Sequence, residues 1–106
     1  MRIFISAPYT LGDQAANVRA AIDAAELVAA KGHIPFVPHL FHFWHLIHPH
    51  QKIFWVALDL AWLDKCHAIL ILPGCSIGSE QEEARARYLG KTIFYSITTI
   101  PTVVDA

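Results

Sequence analysis

The run His67–Leu72 is almost wholly apolar, with no polar residue alternating along it. A strand with one wet face alternates, whereas a strand covered on both faces does not. Such a strand belongs in a parallel sheet enclosed by helices, and the rest of the chain keeps to that plan. Arg2–Ser6 and His33–Val37 are further short apolar runs bounded by Pro8 and Pro38, and Thr92–Ser96 is a fourth. Between them the period shifts from two to about 3.6 residues. Asp13 caps a helix running to about Lys31, and Gly32 stops it. Val18, Ile22, Ala25 and Val28 form its apolar stripe, flanked by Ala21 and Ala29. A helix from about Gln51 to Lys65 has Phe54, Leu58 and Trp62 on one side, and another from about Ser79 to Tyr88 ends at Gly90. Leu40–His48 is an aromatic segment, helical or irregular. The order β-α-β-(α)α-β-α-β, with right-handed crossovers, predicts a three-layer α/β sandwich.

Composition then limits what such a domain can do. The chain has 106 residues, the size of a single domain spanning 1–106. Its 55% apolar and 16% charged residues are the reverse of a disordered composition. A net charge of -1 and a pI near 6.6 argue against nucleic acid polymers as partners. Gly32–Gln51 carries no fixed charge, but its six histidines and three prolines argue against a membrane span. Met1-Arg2 leads straight into Ile3-Phe4-Ile5, so no leader is expected. Cys66 and Cys75 flank one strand and are too far apart for a disulfide. A cytoplasmic protein with free thiols fits these features. Only 8 basic and 9 acidic side chains cover a small domain, which points to surface hidden against another subunit.

In parallel sheets, ligands bind beyond the carboxyl ends of the strands. That selects residues 6–13, 37–50 and 73–82. The first loop, Ser6-Ala7-Pro8-Tyr9-Thr10-Leu11-Gly12, lacks the GxGxxG fingerprint of a dinucleotide site. Tyr9 can stack on a ring or bond a sugar, or be an ordinary turn residue. In the third loop Ser76, Gly78 and Ser79 can line an anion site at a helix start. Glu82, placed in the first turn, would be kept ionised by the helix dipole, as a nucleophile requires. Ser79-x-x-Glu82 also fits a capping box, so this carboxylate has two readings. Asp59 is the only acid between Glu26 and Asp64, amid Trp55, Val56, Trp62 and Leu63. An acid so placed either has a purpose or faces solvent. Asp64, beside Lys65, reads as plain surface. His39, His42, His45 and His48 recur every third residue, a spacing that winds around a helix rather than forming one metal-binding stripe. No metal site is expected; the histidines belong at a pocket rim or a subunit contact.

Several motifs then combine: Ile3-Phe-Ile-Ser-Ala-Pro-Tyr9, Asn17, Gly32-His-Ile-Pro-Phe-Val-Pro-His-Leu40, and Asp59-Leu-Ala-Trp-Leu-Asp-Lys-Cys-His-Ala-Ile69. They continue as Leu72-Pro-Gly-x-Ser76-x-Gly78-x-x-x-Glu82-x-x-x-Ala86-x-x-x-Gly90-Lys91. Together they resemble the nucleoside 2-deoxyribosyltransferase superfamily, including deoxynucleoside monophosphate N-glycosidase-like and short uncharacterised relatives. The resemblance implies a flavodoxin-like, Rossmann-like sandwich with a parallel sheet of four to five strands. It implies Glu82 as nucleophile, Asp59 as the sugar-site acid, and Ser76 as a sugar or 5′-phosphate contact. Tyr9 would lie near base and sugar, with aromatics of residues 36–44 helping to hold the base. Ser6, His39 and Gly78 complete the expected substrate-binding set. The implied activity is cleavage or transfer of the N-glycosidic bond of a (deoxy)nucleoside or its monophosphate through a glycosyl-glutamate, with no cofactor. The implied partner is a small nucleoside or nucleotide, and the implied assembly a homodimer or higher homo-oligomer with residues 36–55 covered by another copy. A non-catalytic nucleoside-binding module and a structural oligomerisation domain are the alternatives.

Overall fold

Consecutive buried residues along the first strand show that both faces of the sheet are covered. In the computed structural model, which describes residues 1–9, 12–74 and 77–103, β1 spans Arg2–Ser6. Ile3 and Ile5 face one side of the sheet and Phe4 the other, all fully buried. The chain continues through α1 (Gln14–Ala30), β2 (Ile34–Phe36), a 3-10 turn (Pro38–Phe41) and α2 (His42–Ile47). Then come α3 (Lys52–Asp64), β3 (Ala68–Ile71), α4 (Ile77–Tyr88), β4 (Thr92–Phe94) and a last 3-10 turn (Ile97–Thr99). Four parallel strands lie in the order β2-β1-β3-β4, so the chain reverses its winding direction between β1 and β3. The α/β sandwich expected from the sequence is therefore present.

One core layer joins Ile3, Ile5, Ala68 and Leu70 to Ala21, Ala24, Ala25 and Val28 of α1. The opposite layer joins Phe4 and Ile69 to Leu63, Cys66 and Ala86, below α3 and α4. Each buried side chain of this size contributes about 1.5–3 kcal/mol through removal from water. Asp13 caps α1 as expected, its Oδ1 accepting from the Ala15 and Ala16 amides at 3.0 and 3.2 Å. Gly32 turns with φ +88° against Val103.

Some details differ from expectation. The face of α1 on the sheet runs through Ala21, Ala24, Ala25 and Val28, and Ile22 is exposed. Alanines let the helix axis approach the strands closely, which turns the bulkier Ile22 outward. On α3 the fully buried residue is Leu63, while Phe54 and Trp62 of the apolar side picked out in the sequence stay exposed. Helix α4 begins at Ile77, so Ser79 is its third residue. A capping serine must sit outside the helix with an extended backbone; the capping-box reading is therefore wrong. Glu82 accordingly stands in the second turn, not the first.

Cys66 is a buried free thiol that burial pushes up, and Cys75 lies outside the described residues. Among the described residues no helix is long and apolar enough to cross a membrane.

Candidate active site

Ser6 ends β1 on the same face as Phe4, because residues two apart share a face. That face looks toward α4. The Ser6 hydroxyl donates to Glu82 Oε1 at 2.7 Å. Beside this pair a small open cleft lies between α3 and α4, lined by Val56, Asp59, Leu60, Gly78, Gln81 and Glu82. The spacings explain the lining: positions 56, 59 and 60, and positions 78, 81 and 82, each share one helix face. The cleft sits at the β1/β3 reversal, beyond the carboxyl ends of the strands.

Its electrostatics are dominated by two acids. Burial pushes the Glu82 carboxyl up to about 8, a rise resisted by the Ser6 hydrogen bond and reinforced by the Asp59 charge. Burial pushes Asp59 up to about 7, and its Oδ1 has no hydrogen-bond partner among the described residues. The expectation that the helix dipole keeps Glu82 ionised is thus overturned. In the second turn desolvation outweighs the dipole, whose effect fades within the first. Desolvation therefore favours the protonated form of both carboxyls toward neutral pH, that of Glu82 more than that of Asp59. Gly78 leaves room at the cleft wall: a Cβ there would meet nothing within 4 Å among the described residues.

Tyr9 and His39 form a neighbouring cluster. His39 is buried, its Nε2 donates to the Pro8 carbonyl at 3.0 Å, and its Nδ1 has no partner among the described residues. Burial accordingly pushes its imidazole down. The Tyr9 ring stands edge-on to His39, its hydroxyl is hydrogen-bonded to His42 Nδ1, and Asn17 Nδ2 donates to its carbonyl. Pro8 lies against Gly74, where φ is +107° and a Cβ would come within 2.8 Å of Pro8 Cγ. The first and third loops therefore touch.

Of the residues singled out in the sequence, Asp59, Gly78 and Glu82 share the cleft and Ser6 reaches it through Glu82. Tyr9 and His39 form the adjoining cluster, and Ser76 lies outside the described residues. The aromatics of 36–44 do not line this cleft. Phe36 stacks on Trp62 and Phe41 on Trp55, along another side of α3. Gln81, Leu60 and the place of Val56 in the cleft wall were not anticipated, and His42 was expected only at a pocket rim or subunit contact, without Tyr9 as its partner. The first three were findable by stepping three or four residues along each helix from Asp59 and Glu82. His42 had no local signal, since its partner lies 33 positions away. Among the described residues no cluster of three metal-ligating side chains occurs.

The fold and cleft define a small α/β domain with a carboxylate pair at the reversal of a parallel sheet. The chain belongs to the family described as "Domain of unknown function (DUF7768)", whose model matches residues 1–96. No curated protein matches the sequence. Among solved structures, a 2-desoxiribosyltransferase from Leishmania mexicana is similar, with a TM-score of 0.63 and 18% identity over 87% of this chain. A 2-deoxyribosyltransferase from Bacillus psychrosaccharolyticus has a TM-score of 0.61 and 18% identity over 88%. The chain spans 61% of the first and 69% of the second. The match thus covers less than two thirds of the Leishmania protein, and these likenesses establish the shared fold.

Proposed function

We propose that the protein cleaves or transfers the N-glycosidic bond of a (deoxy)nucleoside or its 5′-monophosphate. The observation that carries this reading is the pair of desolvated carboxyls in one cleft, with Ser6 donating to Glu82. The solved transferases of the same fold support it. With substrate in the cleft, Glu82 passes its proton to Asp59, and the Glu82 carboxylate attacks the anomeric carbon, forming a C–O bond as the C–N bond breaks. The electron pair leaves on the base nitrogen, and the Asp59 carboxyl supplies the proton. A second base or a water then displaces Glu82, returning a proton to Asp59, with net retention at the anomeric carbon. Both half-reactions balance without metal or organic cofactor. Tyr9 and His39 stand where the loops meet and contribute to holding the nucleoside, with Gly78 beside the sugar. The working form is a homodimer or higher homo-oligomer.

The experiment is incubation with each deoxynucleoside and its monophosphate, with and without a second free base, followed by chromatography of base and exchanged product. Mass spectrometry of quenched protein reads the intermediate as one pentosyl adduct on the peptide containing Glu82. Identical traces for wild type and Glu82→Ala overturn the reading.

A further inference from the structure

Helices α3 and α4 meet again away from the cleft. Arg85 Nε donates to Asp64 Oδ1 at 3.0 Å, and its Nη2 donates to Oδ2 at 2.8 Å. This two-pronged pairing is the geometry that sets arginine apart from a point charge. Asp64 is the last residue of α3, where the helix dipole disfavours a carboxylate. Its carboxyl is nevertheless held below the usual range, first by the Arg85 hydrogen bond and then by the charges of Arg85, Lys91 and Lys65. Lys91 Nζ donates to the carbonyls of Asp64 and Cys66 at 3.1 and 2.5 Å, tying down the same helix end.

Both cleft acids stand on these helices. Asp59 lies about 7.5 Å along α3 before Asp64, and Glu82 about 4.5 Å along α4 before Arg85. The helices run in the same direction, since each leads down between parallel strands. We propose that Asp64 and Arg85 are positioning residues, whose pairing fastens α3 to α4 below the cleft and so fixes the separation of Asp59 and Glu82. A partly exposed ion pair adds little to stability, so the consequence lies in geometry. The groups facing Glu82 are Asp59 from α3 and the Ser6 hydroxyl from β1. When both acids are ionised they repel, and a loosened helix pair lets them part. The effect on rate rests on the glycosyl-transfer reading; the effect on titration does not.

The test is a carbon-detected NMR titration of the Asp59 and Glu82 carboxyls in wild type, Arg85→Met, Arg85→Lys and Asp64→Asn, with thermal melts and nucleoside turnover. In Arg85→Met and Asp64→Asn the upper titration moves down by about one pH unit. Turnover in both falls about ten- to a hundredfold with KM little changed, as expected for misplaced reacting groups. Arg85→Lys keeps the charge without the fork and falls between. If Arg85→Met does not fold, Asp64→Asn, which keeps the side-chain volume, reads the same quantity. Wild-type titration in folded variants overturns the proposal, whatever the turnover. A shifted titration in a protein that releases no base upholds the positioning role and removes the glycosyl reading instead.

Discussion

The Ser6 hydroxyl, at the end of β1, donates a 2.7 Å hydrogen bond to Glu82 Oε1 in the second turn of α4. It opposes the desolvation of that carboxyl by favouring its ionised form. In Ser6→Ala the opposing effect is gone and Glu82 holds its proton to higher pH. Base release then falls about tenfold at neutral pH, and the rise of the pH–rate profile moves to higher pH. A pH–rate profile for the two proteins measures this; superimposable profiles remove Ser6 from the site.

The acids also make stability depend on pH. Folding raises Glu82 from 4.5 to about 8 and Asp59 from 3.8 to about 7. Across that window the folded chain binds more protons than the unfolded one, so stability falls as pH rises. The contribution is complete below the unfolded values and lost above the folded ones. Melting temperature should therefore fall between about pH 5 and about pH 9. Glu82→Gln flattens this slope and stabilises the protein by about 2 kcal/mol at the alkaline end, while lowering base release by about a thousandfold or more. Thermal melts across pH, paired with chromatography, read both. A slope unchanged by Glu82→Gln would mean that this carboxyl is not desolvated.

The sheet was legible because its signals are local. Apolar runs at residues 2–6 and 67–72, the cap at Asp13 and the stop at Gly32 need no knowledge of the tertiary structure. Asp59 stood out through its apolar neighbours, although only some face the cleft with it: Val56 and Leu60 line the wall, while Trp55 and Trp62 pack elsewhere. The start of α4 was not legible. Ser79 and Glu82 match a cap by spacing alone, and a cap is defined by backbone angles that spacing does not carry. Nor could sequence choose between a base-binding wall and packing for Phe36 and Phe41, since aromatic surface serves either purpose.

Gly78 offers a test of the cleft that leaves the fold alone. It lies in the first turn of α4, and a Cβ built there meets nothing within 4 Å among the described residues. Gly78→Ala should keep or raise stability, by about 0.5 kcal/mol, through helix propensity. Gly78→Leu reaches into space that the sugar needs, so KM rises about tenfold while the melting temperature holds. A Gly78→Leu protein with wild-type KM would place the substrate elsewhere.

The uncharged stretch between Lys31 and Lys52 bears on assembly. Phe43, Leu46, Ile47 and Ile53 are 64%, 62%, 73% and 74% exposed, and they occupy α2 and the first turn of α3. Monomeric proteins rarely leave so much contiguous apolar surface open to water. If a second copy covers it, sedimentation should give at least a dimer for the wild type. Ile47→Asp should then dissociate the assembly, because a carboxylate buried there without a partner costs several kcal/mol. The substitution should leave the monomer's melt cooperative, since the side chain packs little within its own chain. A wild-type monomer at micromolar concentration would rule out the oligomer, and the apolar face would need another explanation.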